Sequence, residues 1–187
     1  MAKKQIQPAI YPAGPLGFSE AGRHFYNGVI IPDLKRIGYL VLDPWSIPES
    51  QVAFAKALAE PYSPEQCRLL QVANRVAGEA NECAIGMSHL VLAILDGTDV
   101  DSGTASEIGF AAGINRPIVG YRGDFRLAAD NIGSVVNLQV EHFIRRQGGS
   151  IFSTWAETRE VLEARYNAYQ AGAPLRPWNQ KRKRAAR

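Results

Sequence analysis

The chain has 187 residues, of which 46% are hydrophobic, 21% charged and 9% aromatic. That composition suits one folded domain with a substantial core and excludes a disordered chain. The longest apolar run, Leu90 to Leu95, is too short to cross a bilayer, and no apolar core follows Met1 to Gln5 as a signal peptide requires. Cys67 and Cys83 lack metal-ligand spacing. The expectation is a cytoplasmic protein with reduced thiols, no structural metal and no membrane association.

The net charge of +3 is unevenly spread. Six basic residues (Arg176, Lys181, Arg182, Lys183, Arg184 and Arg187) and no acidic ones fall between 171 and 187. Without them the body carries 15 basic against 18 acidic residues, a net charge of −3. Residues 1–170 are therefore expected to form the folded domain and 171–187 a solvated, disordered basic tail. A tail of this kind could touch RNA or an anionic surface, but a nucleic-acid function is not expected.

Short β-rich runs alternate with helical stretches, the pattern of βα units on a parallel sheet. The first strand is expected over Ile6 to Ala13, followed by the turn Gly14-Pro15-Leu16-Gly17. A helix follows from Ser19-Glu20 to about Arg36, then a second strand from Gly38 to Asp43. Ile47 to Met87 reads as helical with a break at Pro61 to Pro64, where Ser63 before Pro64 has the form of an N-cap and N1 pair. Ser88 to Leu95 reads as a central strand covered on both faces. A helix is expected from about Thr104 to Ile114 and a fourth strand from Ile118 to Arg122. A polar loop should span Gly123 to Gly133, with a helix from Ser134 to about Arg146. A short fifth strand at Ser150 to Ser153 and a last helix from Thr154 to Gln170 complete the body. The predicted fold is α/β: a flavodoxin-like doubly wound parallel sheet of about five strands, flanked by helices.

In such a sheet ligands bind beyond the carboxyl ends of the strands at the switch point. The loops after Ala13 and after Leu95 should therefore form the walls of one crevice. The second loop places four carboxylates, Asp96, Asp99, Asp101 and Glu107, within twelve residues. An ionised carboxylate there can attack a carbon that is becoming cationic while a protonated one donates to the leaving group, as in retaining glycosyl transfer. The helix dipole would favour the ionised form of Glu107 if it lay in the first turn. A structural alternative is equally legible: Thr104-Ala105-Ser106-Glu107 spells a capping box, and Asp99 and Asp101 fit as ordinary loop acids. Gly14-Pro15-Leu16-Gly17 matches neither a dinucleotide fingerprint nor a P-loop and reads as a tight turn.

Four segments in order resemble the nucleoside 2-deoxyribosyltransferase family. They are Ile10-Tyr11-Pro12-Ala13-Gly14-Pro15-Leu16-Gly17-Phe18; Leu90 to Gly97 continuing through Asp101-Ser102-Gly103-Thr104-Ala105-Ser106-Glu107-Ile108-Gly109-Phe110-Ala111; Arg116 to Arg122 with Asp124-Phe125-Arg126; and Asp130-Asn131 through Val136-Asn137-Leu138. The resemblance covers roughly residues 6 to 145. It implies that Glu107 is the nucleophile that attacks C1′ of deoxyribose, that Asp101 assists proton transfer to the leaving base, and that Tyr11 orients the nucleophile. Gly14 and Gly103 line the substrate site, and Asn137 holds the sugar 5′-hydroxyl of a neighbouring subunit's site, which implies a homo-oligomer. The implied substrates are a nucleoside and a free nucleobase, with no metal or organic cofactor.

The resemblance breaks at Asn81 and His89, where relatives often carry acids. Asn81 can hydrogen-bond a base edge but cannot protonate it, so the proton should come from Asp101, or from Glu79 or Glu82. His89 reads as a strand-start residue. The implied activity is transfer of 2-deoxyribose between bases through a glutamyl ester. The alternatives are N-glycoside hydrolysis of nucleosides or their 5′-monophosphates, with Arg122 and Arg126 near a phosphate, and an inactive nucleotide-binding module.

Overall fold

The strand from Leu90 divides its apolar residues between two cores. Val91, Ala93 and Leu95 pack with Ile108, Ala111, Val140 and Ile144, whereas Leu90, Leu92 and Ile94 pack with Tyr26, Ile30, Leu34 and Leu162. The two-residue period of the pleat sends successive side chains to opposite faces, so an unbroken apolar run is what a doubly covered strand requires.

A computed structural model describes residues 7–129, 131–146, 148–173 and 175. The strands are β1 (Ala9–Ala13), β2 (Leu40–Val41), β3 (Leu90–Ile94), β4 (Ile118–Tyr121) and β5 (Ile151–Phe152). All pairings are parallel, in the order β2-β1-β3-β4-β5, with Ile10 opposite Leu90 and Ala13 opposite Ala93. The helices are α1 (Glu20–Phe25), α2 (Ile31–Ile37), α3 (Pro48–Ala59), α4 (Pro64–Met87), α5 (Ser102–Gly113), α6 (Leu138–Arg146) and α7 (Trp155–Gln170). Helices α4, α5 and α6 contribute to one core, and α2 and α7 with the turn at Tyr26–Ile30 to the other. The doubly wound, flavodoxin-like α/β sheet expected from the sequence is the fold observed.

The differences have local causes. The helix expected from Ser19 to Arg36 is interrupted by a π-turn at Tyr26–Ile30. Pro32, in the next turn, has no N–H to give and would crowd the carbonyl four residues back, and the wider turn relieves this. Edge strands β2 and β5 hold two residues each, shorter than the expected segments, because each pairs on one side only. Helix α6 starts at Leu138, with the chain from Ser134 forming a turn and a bridge from Val136 to Ala128. Helix α4 begins as expected, with Ser63 Oγ accepting from the Gln66 N–H at 3.1 Å. Of the basic tail, the residues from Arg176 to Arg187 lie outside the described residues.

His89 ties β3 to β1. Its Nδ1 accepts the Ala9 N–H at 3.1 Å, and its ring meets Tyr169 edge-on at 5.6 Å. Burial, helped by the positive charge of Arg116, lowers its pKa below the usual histidine value. The folded chain thus favours the neutral ring, and the unfolded chain takes up the proton first as pH falls. This contribution to stability is full above about pH 6.5 and is lost as pH falls through that value toward the lower folded pKa. Urea midpoints measured from pH 7.5 to 5 should fall in this window, and the fall should be shallower in His89→Gln.

Candidate active site

The same pleat that sorts β3 sorts β1. Tyr11 and Ala13 face the core beneath α5, and Ile10 faces the opposite one. Tyr11 is fully buried, and its hydroxyl donates to Glu107 Oε1 at 2.5 Å across 96 residues of sequence. Asn81 on α4 also donates through Nδ2 to Glu107 Oε1, at 3.4 Å. Three elements therefore converge on one carboxylate. Burial raises the pKa of Glu107; the Tyr11 hydrogen bond opposes this, and the negative charge of Asp101 adds to it. The phenol of Tyr11 is in turn pushed well up by burial and by Glu107, so it stays protonated and acts only as a donor.

Asp101 is the N-cap of α5. Its Oδ2 accepts from the Thr104 N–H at 2.9 Å and from the Thr104 hydroxyl at 3.0 Å. The helix therefore starts at Ser102, two residues earlier than expected. That corrects two expectations. Glu107 lies in the second turn rather than the first, outside the reach of the helix terminus, and burial governs its ionisation. Nor does it close a capping box on Thr104, because its carboxylate is engaged by Tyr11 and Asn81.

Of the four carboxylates, Asp101 and Glu107 border the cavity and the other two serve the loop. Asp96 Oδ1 accepts from the Asp124 N–H at 2.9 Å, and Asp99 Oδ1 accepts from the Val100 N–H at 2.7 Å. Arg122 is buried and donates to the carbonyls of Leu95, Gly97 and Arg126. Arg126 chelates the Asp124 carboxylate. The expectation that these arginines stand ready for a phosphate is therefore corrected: Arg122 latches the loop, Arg126 is ion-paired, and neither lines the cavity.

The cavity, about 580 Å³, lies at the switch point between β1 and β3. Gly14, Asn81, Asp101, Gly103 and Glu107 line it, and Tyr11 sits behind Glu107. Gly14 is required by close approach, since a Cβ there would lie 2.6 Å from Ile94 Cβ. Asn137 is not brought to this cavity within the chain. Its Oδ1 accepts from the Gln139 N–H at 2.9 Å at the start of α6. Glu79 and Glu82 are exposed and do not line the cavity, so neither is placed to protonate a ligand there.

Sequence reasoning missed the far wall. Ser50, Phe54 and Leu58 recur every four residues on one face of α3, a period that could have revealed a face turned to the site. Phe18 and Trp45 meet edge to face at 4.8 Å beside them. Trp45 lies so close over Gly17 that a Cβ there would come within 2.2 Å of its ring. Asp43 holds this turn, accepting from the Trp45 N–H at 3.0 Å and from the Tyr26 hydroxyl at 2.8 Å. The wall is apolar and aromatic, the floor carries two carboxylates, and among the described residues no Lys, Arg or His lines the cavity. Among the described residues no group of three or more His, Cys, Asp or Glu is arranged to hold a metal ion. No helix among them is long and apolar enough to cross a membrane.

Fold and site together define a doubly wound α/β domain with a tyrosine-held carboxylate beneath a switch-point cavity. The family model for nucleoside 2-deoxyribosyltransferases matches residues 10–143. The chain belongs to that family. A search of curated proteins returns no match. Among solved structures, a conserved protein from Enterococcus faecalis V583 aligns with a TM-score of 0.58 at 22% identity, covering 86% of this chain and 99% of that one. A 2-deoxyribosyltransferase from Leishmania mexicana aligns with a TM-score of 0.57 at 18% identity, covering 84% and 97%. One from Bacillus psychrosaccharolyticus aligns with a TM-score of 0.53 at 19% identity, covering 91% and 98%. These likenesses establish a shared fold.

The pKa balance at Glu107 yields a test. The carboxylate must be ionised to act as a nucleophile, so activity should rise with pH through a value above the usual glutamate pKa of about 4.3. Tyr11→Phe removes the hydrogen bond that lowers this pKa. The acid limb of the kcat/KM profile should therefore move to higher pH in Tyr11→Phe. An unmoved limb with reduced activity would mean that Tyr11 only packs.

Proposed function

We propose that the domain, residues 1–170, transfers a 2-deoxyribosyl group between nucleobases with retention. Glu107 Oε2 attacks C1′ as the glycosidic bond breaks, its electron pair leaving with the base, and a glutamyl ester of deoxyribose forms. An acceptor base then attacks C1′ from the face the first base left, returning Glu107 as a carboxylate. The observation that carries this reading is the half-buried 2.5 Å bond from Tyr11 to Glu107 Oε1, which fixes one carboxylate oxygen beside the cavity. Without the electron-withdrawing 2′-hydroxyl, the cationic character that develops at C1′ is less costly.

Asp101 borders the same cavity and is the group assigned to protonate the departing base. One oxygen is engaged as the cap, which leaves the other for the proton. The described lining is apolar, neutral or acidic, which suits a neutral nucleoside better than a 5′-monophosphate. A homo-oligomer in which Asn137 reaches a neighbour's sugar is supported by the surface around it. Phe125 is 94% exposed, Leu127 77%, Ile132 fully, and Leu138 46%, a concentration of apolar side chains on one segment.

Incubation with thymidine or deoxyinosine plus adenine should yield a new deoxynucleoside. Release of free deoxyribose alone, with or without acceptor, would make the protein a hydrolase instead. Glu107→Ala should abolish both, with a lowered thermal midpoint but a cooperative fold, because the buried Tyr11 hydroxyl loses its acceptor. Retained transfer, or a sugar adduct trapped on another residue, would overturn the covalent route.

Asp101→Asn keeps an equally good cap, so its stability should change little. It should slow cleavage of bases that need a proton by about a hundredfold or more, and largely spare a nitrophenolate leaving group. Equal losses on both substrates would assign Asp101 to holding the loop. Asn137→Ala should cost about 1 kcal/mol as a lost cap and should also inactivate. Mixing it with Glu107→Ala under conditions of subunit exchange should restore activity, and exchange without restoration would refute the shared site.

A further inference from the structure

Trp45 borders the cavity from a turn of only three residues, Pro44–Ser46. So short a turn has no core of its own, and Trp45 is itself 36% exposed. The direction of its indole therefore depends on what holds the backbone beneath it. Asp43 Oδ1 accepts the Trp45 N–H at 3.0 Å, the side-chain-to-backbone bond of an Asx turn. Gln51 Nε2, on α3, donates to the Trp45 carbonyl at 3.2 Å. The ring itself lies over Gly17 and meets Phe18 edge-on.

Asp43 is held in its turn. The same Oδ1 accepts the hydroxyl of Tyr26 at 2.8 Å. Tyr26 is buried with Ile10, Ile30 and Leu34 in the core on the face of the sheet away from α5. Burial, and after it the charge of Asp43, push its phenol well above the usual tyrosine value, so it remains a donor. Neither Asp43 nor Tyr26 lines the cavity. A donor fixed in the core thus holds a carboxylate oxygen, and that oxygen holds the residue at the wall.

We infer that Asp43 and Tyr26 are positioning residues for base binding, holding Trp45 as the flat wall against which a nucleobase lies. This rests on the reading that the cavity binds a nucleoside. C1′ must meet Glu107, and the heterocycle is the flat, apolar part of such a ligand. It suits the wall of Trp45, Phe18 and Phe54 rather than the floor of carboxylates. Stacking of this kind is made alike in the ground state and the transition state, so its loss shows in KM and leaves kcat. The geometry of Asp43 matters here and its charge does not, because an amide oxygen accepts the same two hydrogens.

The test combines steady-state kinetics, with thymidine or deoxyinosine as donor and adenine as acceptor, with acrylamide quenching of Trp45 emission, isolated by difference from Trp45→Phe. Asp43→Ala should raise KM for both substrates about tenfold and change kcat less than about twofold. Trp45 should become more quenchable in the same variant. Tyr26→Phe, which keeps the core ring, should move both readouts in the same direction by a smaller factor, and it decides the matter if Asp43→Ala does not fold. Asp43→Asn should stay close to the parent in both. In a Trp45→Ala background, Asp43→Ala should raise KM no further, since residues acting through one contact are not additive. A loss of kcat at unchanged KM, unchanged quenching, an Asn variant as impaired as the Ala variant, or a full further rise of KM in the Trp45→Ala background overturns the inference. Turnover by the parent leaves the nucleoside reading in place in each of these cases. Failure of the parent to turn over or bind either nucleoside overturns that reading, and the base-binding role of Trp45 with it.

Discussion

The hydrogen bond from Tyr11 to Glu107 joins the middle of the sheet to the second turn of the helix that follows β3, and the site is organised around it. A carboxylate this buried is unfavourable unless donors meet it. Tyr11 supplies one because the pleat of β1 points it toward α5, and Asn81 supplies a second from α4. The remaining cost appears as the raised pKa of Glu107.

The acidic loop after β3 divides its labour. Asp96 and Arg122 fasten it to the end of β4, so that the backbone entering α5 is fixed before any ligand arrives. Asp101 then starts the helix and thereby sets the angular position of Glu107 about the helix axis. With Arg122 and Arg126 both engaged in the scaffold, the described residues that line the cavity are negative or neutral. The scaffold that holds Glu107 is the same one that engages Arg122 and Arg126 away from the cavity.

The opposite wall depends on a different set of contacts. Helix α3 leans on α4, and the turn at Pro44–Ser46 is held by Asp43, which also receives the hydroxyl of the core residue Tyr26. Trp45 is thereby laid over Gly17 and against Phe18. The aromatic wall is thus anchored through one carboxylate to the core on the far side of the sheet from α5.

The sequence by itself determined the doubly wound fold, because Leu90 to Leu95 can be apolar throughout only in a strand covered twice, and the alternation of runs left little choice of topology. It also marked Gly14, Asp101, Gly103 and Glu107 as residues at the switch point, since loops after β1 and β3 must meet there, while Tyr11 was marked by the family resemblance. What spacing could not separate were the roles of like residues. Four carboxylates in one loop look alike along the chain, and the partners that tell them apart, Tyr11, Thr104, Asp124 and Val100, are set by distances in space. The same holds for the two arginines and for the wall built by Trp45, Ser50 and Phe54. Tertiary structure alone decided these, because hydrogen bonding and burial depend on which atoms meet across the fold, and no local pattern records that.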